Sequence, residues 1–190
     1  MIDLHLHSRY SSDGERSPEE LIRLCRESNI TLASVADHNC IRANTEARAA
    51  AAAAGIAYLP GIEIDCVFAG VNFHVLGYGI DLPGRGFAEI EQNVRDQGRG
   101  ASLTMLAKTQ ALGFAVTEEE LARLTEGSYW PETWTGELFA EALLQKPEYR
   151  QHPLLAPYRP GAPRGDNRYV NFYWDYYAQG KPCHAPVRYP

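Results

Sequence analysis

The segment Ile2-Asp3-Leu4-His5-Leu6-His7 alternates apolar and polar side chains, and that alternation narrows what the chain can form. Successive side chains of a strand point to opposite faces, so Ile2, Leu4 and Leu6 share one face and Asp3, His5 and His7 the other. The pattern predicts a buried strand whose apolar side packs against helices and whose polar side looks into a wet or metallic space. Two imidazoles at i and i+2 repel when protonated and lower each other's proton affinity. Neutral imidazole is the form that binds a metal, so the pair suits one ion held by both rings.

Composition sets limits on the rest. The 190 residues, 45% apolar and 22% charged, fit a single soluble globular domain with a core of its own. No apolar run approaches the roughly 20 residues of a membrane span, and no charged-then-apolar leader precedes Asp3. The expectation is a cytoplasmic protein with no membrane association. Cys25, Cys40, Cys66 and Cys183 fall at irregular spacings with no Cys-x-x-Cys pair, which argues against a zinc ribbon or a thioredoxin-type site and for buried free thiols. The net charge of -6 argues against a stable nucleic-acid complex. It hides an asymmetry: residues 1–145 carry 11 Lys and Arg against 21 Asp and Glu, whereas residues 146–190 carry seven against three, with nine of the 20 aromatics.

After the first strand, Arg9 to Gly14 reads as a turn-rich loop in which Asp13 can fold back over the strand's end. Ser17-Pro18-Glu19-Glu20 then carries both marks of a helix start, a Ser cap with Glu three later and Pro at the first helical position. Leu21, Ile22, Leu24 and Cys25 form its buried stripe, and the helix is expected to end near Asn29. Residues 30–36 form a short apolar run of strand length that delivers Asp37-His38-Asn39. A second helix is predicted over residues 45–54, stopping at Gly55. Residues 56–68 read as the third strand region, in which Glu63 and Asp65 alternate with isoleucine on one polar face. A two-residue turn at Ala69-Gly70 leads into residues 71–80, with Asn72 and His74 on one face of the returning strand. Such a hairpin brings Glu63 and His74 together. Strands alternating with helices point to a parallel sheet or barrel with its site at the strands' C-terminal ends.

The motifs DLHLHS, ADHN, GIEI and NFHVLGYG, in this order and separated by helices, resemble those of the polymerase and histidinol phosphatase superfamily, the PHP domain. The resemblance covers roughly the first 80 residues closely and the rest loosely. It implies a distorted seven-stranded β/α barrel, of which this chain is the N-terminal part, carrying a helical insert. It also implies two or three divalent transition metals. His5, His7 and Glu63 would share one, Glu63 would bridge to a second taken by His74, and Asp13 with His38 would hold a third. The layout is similar to small phosphoesterases of nucleotides and short oligoribonucleotides. Imidazole and carboxylate without thiolate suit Zn, Mn or Fe. Metals about 3.5 to 4 Å apart can hold a bridging hydroxide and clamp a phosphoryl group. No Gly-x-x-x-x-Gly-Lys loop or Gly-x-Ser-x-Gly elbow is present, which ranks NTP hydrolysis and serine chemistry low. No catalytic residue beyond the metal ligands is assigned.

Beyond Pro83 the spacing turns helical. Residues 87–112 read as a helix interrupted at Gly98 and Gly100, Thr117 starts another with a capping box, and residues 135–144 make a third. Arg95 and Arg99, four apart, suit a phosphate or, better, a solvated face. Five prolines between Pro147 and Pro163 impose turns. Asp166 is expected to cap an aromatic helix running through Tyr169, Phe172 and Tyr176, which is either packed against the insert or offered to bases. The organisation expected is 1–83 as the first half of the barrel, 84–165 as the insert, and 166–190 as the aromatic helix returning toward the barrel.

The PHP pattern continues with a further histidine strand and an Asp-x-His motif that are absent here, and His184 is only a weak substitute. The expectation is therefore a phosphoesterase whose missing strands arrive from a second chain or a C-terminal segment. Arg164, Arg168, Lys181 and His184 are the candidates for holding a nucleotide substrate. A non-catalytic metal- or nucleotide-binding module and an interaction domain built on the insert are the alternatives.

Overall fold

The computed structural model describes residues 1–82 and 84–187. Pro83, the expected domain boundary, and residues 188–190 lie outside the described residues. Two compact units are formed. The first comprises residues 1–95 with 128–130, and the second residues 96–127 with 131–187.

In the first unit, β1 (Ile2–Leu6), β2 (Leu32–Val35) and β3 (Ala57–Tyr58) form a parallel sheet in that order. Helices α1 (Pro18–Glu27) and α2 (Ala43–Ala54) make the connections. The Ser17 capping box forms as its residues predict: Ser17 Oγ accepts from the Glu20 amide and the Glu20 carboxylate from the Ser17 amide. Leu21, Ile22 and Cys25 are buried with Ala33, Val35 and the alanines Ala43, Ala47 and Ala51 of α2. Small side chains let α2 lie close to the sheet, and Gly55 ends it in the left-handed conformation at φ 71°.

Two expectations are corrected here. The strand region 56–68 is two strands, because Leu59 and Pro60 lie between β3 and β4 (Gly61–Phe68) and the chain changes sheet there. β4 pairs antiparallel with β5 (Val71–Tyr78) through the predicted Ala69-Gly70 turn. Both turn residues have positive φ, 52° and 78°, as a tight hairpin turn of this length requires. The second correction concerns β1, which is an edge strand and not a buried one: Ile2 is 62% exposed, since β1 pairs only with β2 among the described residues.

The two sheets meet where β2 ends. His38 forms an isolated parallel bridge with Glu63; the Asn39 amide donates to the Glu63 carbonyl at 2.7 Å and the Glu63 amide to the Asp37 carbonyl at 3.1 Å. Buried Asn44, on α2, fixes the start of β4. Its Nδ2 donates to the Gly61 carbonyl at 2.8 Å, and its Oδ1 accepts from the Gly61 amide at 2.9 Å and the Tyr58 hydroxyl at 2.8 Å. A Cβ on Gly61 would lie 2.3 Å from Ser34 Oγ, so only glycine fits at this crossing. Glu63 sits two residues on.

Helix α3 (Arg85–Ala111) is continuous through Gly98 and Gly100, contrary to the expected interruption. Gly98 serves a close approach instead, since a Cβ there would come within 2.7 Å of Thr133 Oγ1. The second unit adds α4 (Glu118–Leu124), α5 (Gly136–Gln145), two short 3-10 turns and α6 (Arg168–Tyr176). Its core gathers Phe114, Leu121, Phe139, Leu143, Leu155, Phe172 and Tyr177. Asp166 does not cap α6; Asn167 does, in the left-handed conformation that asparagine tolerates, without a side-chain cap bond. Phe172 stacks on Tyr176 and meets Tyr158 edge-on, while Trp174 is 58% exposed. The aromatic helix thus has one stripe in the core.

Asn44→Ala is expected to destabilise the protein by about 2 to 4 kcal/mol, because it strands the buried Gly61 N–H and C=O. Chemical denaturation measures this, and an unchanged midpoint would show that the Asn44 bonds contribute nothing.

Candidate metal centre

The site is built from four chain segments that end on one patch of the first unit. β1 supplies His5 and runs into His7, the following loop supplies Asp13, the exit of β2 supplies His38, and the β4–β5 hairpin supplies Glu63, Asp65 and His74. Ser8 and Asp37 brace the first two strand ends. The buried Asp37 carboxylate accepts from the Ser8 amide at 2.5 Å and the Ser8 hydroxyl at 2.7 Å. Burial nevertheless raises its pKa to about 6.

Glu63 is the centre of the cluster, with 2% of its surface exposed. Its Oε2 lies 2.7 Å from His5 Nε2, 2.9 Å from His7 Nε2 and 3.6 Å from His38 Nε2, and its Oε1 lies 2.8 Å from His74 Nδ1. The rings of His5 and His7, of His7 and His38, and of His38 and His74 stand 4.8 to 4.9 Å apart. One carboxylate therefore faces four imidazoles with both oxygens.

Two further carboxylates hold the rings. Asp13 Oδ1 lies 2.8 Å from His7 Nδ1 and accepts from Ser11 Oγ at 2.5 Å; its Oδ2 is 3.7 Å from His38 Nε2. Asp65 Oδ1 is 2.9 Å from His38 Nδ1 and 3.5 Å from His74 Nε2, and Asn39 Nδ2 donates to Asp65 Oδ2 at 2.7 Å. A carboxylate on one ring nitrogen fixes the tautomer and aims the other nitrogen outward. His7 Nε2 is buried, sits beside Glu63 and yet makes no hydrogen bond.

Three overlapping triads each place one donor atom per residue within 4.8 Å of one another: His5, His7 and Glu63; His7, Asp13 and His38; and His38, Asp65 and His74. All six residues singled out in the sequence, His5, His7, Asp13, His38, Glu63 and His74, converge. Asp65 joins them without having been named as a ligand, although its place two residues after Glu63 on the same strand face was the signal. The donors are nitrogen and carboxylate oxygen, a set that fits borderline divalent cations, and the buried His7 Nε2 without a hydrogen bond is a donor atom that such an ion would satisfy. Cys40 does not belong to the set. Burial pushes its thiol up to about 12, and its Sγ lies 3.6 Å from Glu91.

The tail candidates belong to none of these triads and have other partners within the second unit. Arg164 pairs with Asp175 at 2.7 Å and donates to the Asn171 carbonyl. His184 Nδ1 is 3.1 Å from the Tyr177 carbonyl, Lys181 is exposed, and Arg168 donates to the Tyr169 hydroxyl at 2.9 Å. Arg95 is not on a solvated face: its guanidinium stacks 4.5 Å from both the Tyr129 and Trp130 rings.

An α/β scaffold with a histidine and carboxylate cluster at its strand ends defines the class. The PHP domain model matches residues 3–150, and the chain belongs to that family. It is 35% identical over 114 residues to a 3',5'-nucleoside bisphosphate phosphatase of Chromobacterium violaceum, covering 60% of this chain and 40% of that protein. It is 33% identical over 84 residues to the 5'-3' exoribonuclease Rnm of Escherichia coli, covering 43% and 28% respectively. Among solved structures, an amidohydrolase from Chromobacterium violaceum with bound sulfate matches all of this chain and 59% of its own length, with TM-score 0.74 and 26% identity. The matched segments thus cover less than half of either curated relative. Among the described residues no helix is long and apolar enough to cross a membrane.

The charges set a pH response for the metal-free protein. Burial opposes the charged form of His7 and His38, but the Asp13 and Asp65 hydrogen bonds outweigh it and raise both pKa values above 6.5. Groups raised in the folded state contribute stability below their unfolded pKa and lose it as pH rises through the folded one. Metal-free protein is therefore expected to melt at a lower temperature at about pH 8 than at about pH 6. Asp65→Asn should lower the His38 pKa more than that of His7 in an NMR titration. The opposite order would contradict the pairings.

Proposed function

We propose that this chain carries the metal site of a phosphoesterase acting on a phosphate ester of a nucleotide or short oligonucleotide. The observation that carries the reading is Glu63, a nearly inaccessible carboxylate with four imidazoles around its two oxygens. In this reading His5, His7 and Glu63 hold one divalent cation, Glu63 and His74 a second, and Asp13 and His38 a third. Asp65 orients His38 and reaches His74. Bound Zn, Mn or Fe would supply Lewis-acid charge against the phosphoryl oxygens and lower the pKa of an attacking water. The protein's own part is to hold the rings aimed: Asp13 and Asp65 grip the Nδ1 edges of His7 and His38, and buried Asp37 keeps the two strand ends in step. The names of the relatives, a nucleoside bisphosphate phosphatase and an exoribonuclease, support a nucleotide-type substrate.

Purified protein is expected to carry transition metal and to release phosphate from nucleoside bisphosphates in preference to sugar phosphates. His5→Ala and Glu63→Ala should strip the metal, whereas Cys40→Ser should leave it in place. Less than about half an equivalent of metal in protein never exposed to chelator would sink the reading.

The second part of the proposal is that further polypeptide completes a seven-stranded barrel over the exposed hairpin. Phe68 is 75% exposed, and Val71, Phe73 and Val75 stand in solvent on the same ribbon, more apolar surface than an isolated two-stranded ribbon normally shows. The ligand triads also leave coordination positions for groups brought from elsewhere. These 190 residues by themselves should self-associate and turn over weakly, and Phe68→Glu with Val71→Glu should raise the monomer fraction in sedimentation. A monomeric wild type of these residues with full metal and robust turnover would overturn this part.

A further inference from the structure

The second unit holds a concavity of about 200 Å³ whose polar lining is basic. Lys146, Arg150, Arg159 and Arg168 line it together with Tyr149 and Tyr158, and no carboxylate does. Only Lys146 is neutralised there, by Glu120 at 2.7 Å. Arg159 is held by neutral groups, donating to the Tyr149 carbonyl at 3.0 Å and the His152 carbonyl at 3.5 Å. Arg168 donates to the Tyr169 hydroxyl and lies over its ring, and Arg150 is exposed. Among the described residues none of these three arginines has an acidic partner within ion-pairing distance.

Placing these like charges together is electrostatically unfavourable without a counter-charge. Like charges repel, and Arg168 is the first residue of α6, whose first turn contains no acidic residue. A helix N-terminus carries about +0.5 of a charge, so a cation there is disfavoured where an anion would be stabilised. The aromatic neighbours do not relieve this: the Tyr158 hydroxyl is turned to Asp175 at 2.6 Å, and the Tyr149 hydroxyl accepts from the Ala115 amide. What would satisfy three guanidinium forks at once is a compact oxyanion with several acceptor oxygens, bound bidentately. Size narrows the ligand further. Pockets for whole drug-sized molecules run from about 300 Å³ upward, so this one suits a single phosphate group with a short stem.

We propose that this pocket binds a phosphate group, either free or as a terminal monoester, at a site separate from the metal triads. The proposal does not rest on the metal reading, because every residue in it belongs to the second unit.

The test is residue-resolved arginine labelling with phenylglyoxal, read by peptide mass spectrometry on the purified protein with its metals. Inorganic phosphate should slow labelling of Arg150 and Arg168 by about tenfold once it stands about tenfold above its dissociation constant. Exposed Arg26 of α1 should label at an unchanged rate, and chloride at equal ionic strength should protect neither pocket residue. A 5'-phosphorylated dinucleotide should protect as inorganic phosphate does, and the same dinucleotide without its terminal phosphate should not. Arg150→Ala should abolish the phosphate protection of Arg168 while leaving metal content unchanged. Unprotected Arg150 and Arg168 in the wild type, or equal protection by chloride, would overturn the site, and equal protection by the unphosphorylated dinucleotide would overturn its preference for a monoester.

Discussion

An ionised carboxylate is costly to bury unless charge or hydrogen bonds meet it, and Glu63 is met by four imidazoles from three parts of the chain. That requirement orders much of the first unit. His5 and His7 reach it only if β1 ends level with β2, which the Ser8–Asp37 bonds enforce. His38 reaches it only because the backbone at Asp37 and Asn39 pairs with that of Glu63 itself. His74 reaches it because the Ala69-Gly70 turn sets the register that places Asp65 opposite His74. Glu63 in turn is held below the ordinary glutamate range, since its histidine neighbours outweigh the burial that opposes ionisation.

The site was legible in the sequence because strand periodicity is local. A period of two assigns His5 and His7 to one face whatever the rest of the chain does, and the same logic, with the hairpin, brings Glu63 and His74 into one neighbourhood. It also puts Asp65, two residues after Glu63, on the same polar face. The helix caps at Ser17 and Thr117 were readable for the same reason, each closing within four residues. What misled was tertiary. The β3–β4 break depends on Asn44 gripping Gly61 from another element, and the exposure of β1 depends on which strands lie beside it. Within the continuous α3, Gly98 admits the close packing of Thr133, which no local propensity reports. At α6 both Asp166 and Asn167 are plausible caps by residue type, and the left-handed backbone chose the asparagine.

The charge asymmetry of the sequence maps onto chemistry in each unit separately. The acidic front of the chain spends part of its excess on ring-orienting carboxylates, where Asp13 is held far below the usual aspartate range, against partial desolvation, by bonds to His7 and Ser11. The basic end places arginines around neutral acceptors, with Arg164, alone among its described arginines, drawn into a close pair with Asp175. Aromatic residues in the second unit mostly build its core, as the stacked Phe139–Tyr177 and Phe172–Tyr176 pairs do.

The amide of Gly61 donates its hydrogen bond to a side chain on α2 and not to a neighbouring strand. Its exchange with solvent deuterium is therefore governed by separation of α2 from β4, while the amide of Glu63, bonded to the Asp37 carbonyl, is governed by parting of β4 from the end of β2. Two amides two residues apart thus keep separate clocks. Comparing their exchange with and without cation would show whether an ion tightens only the strand ends it touches or the helix behind them as well.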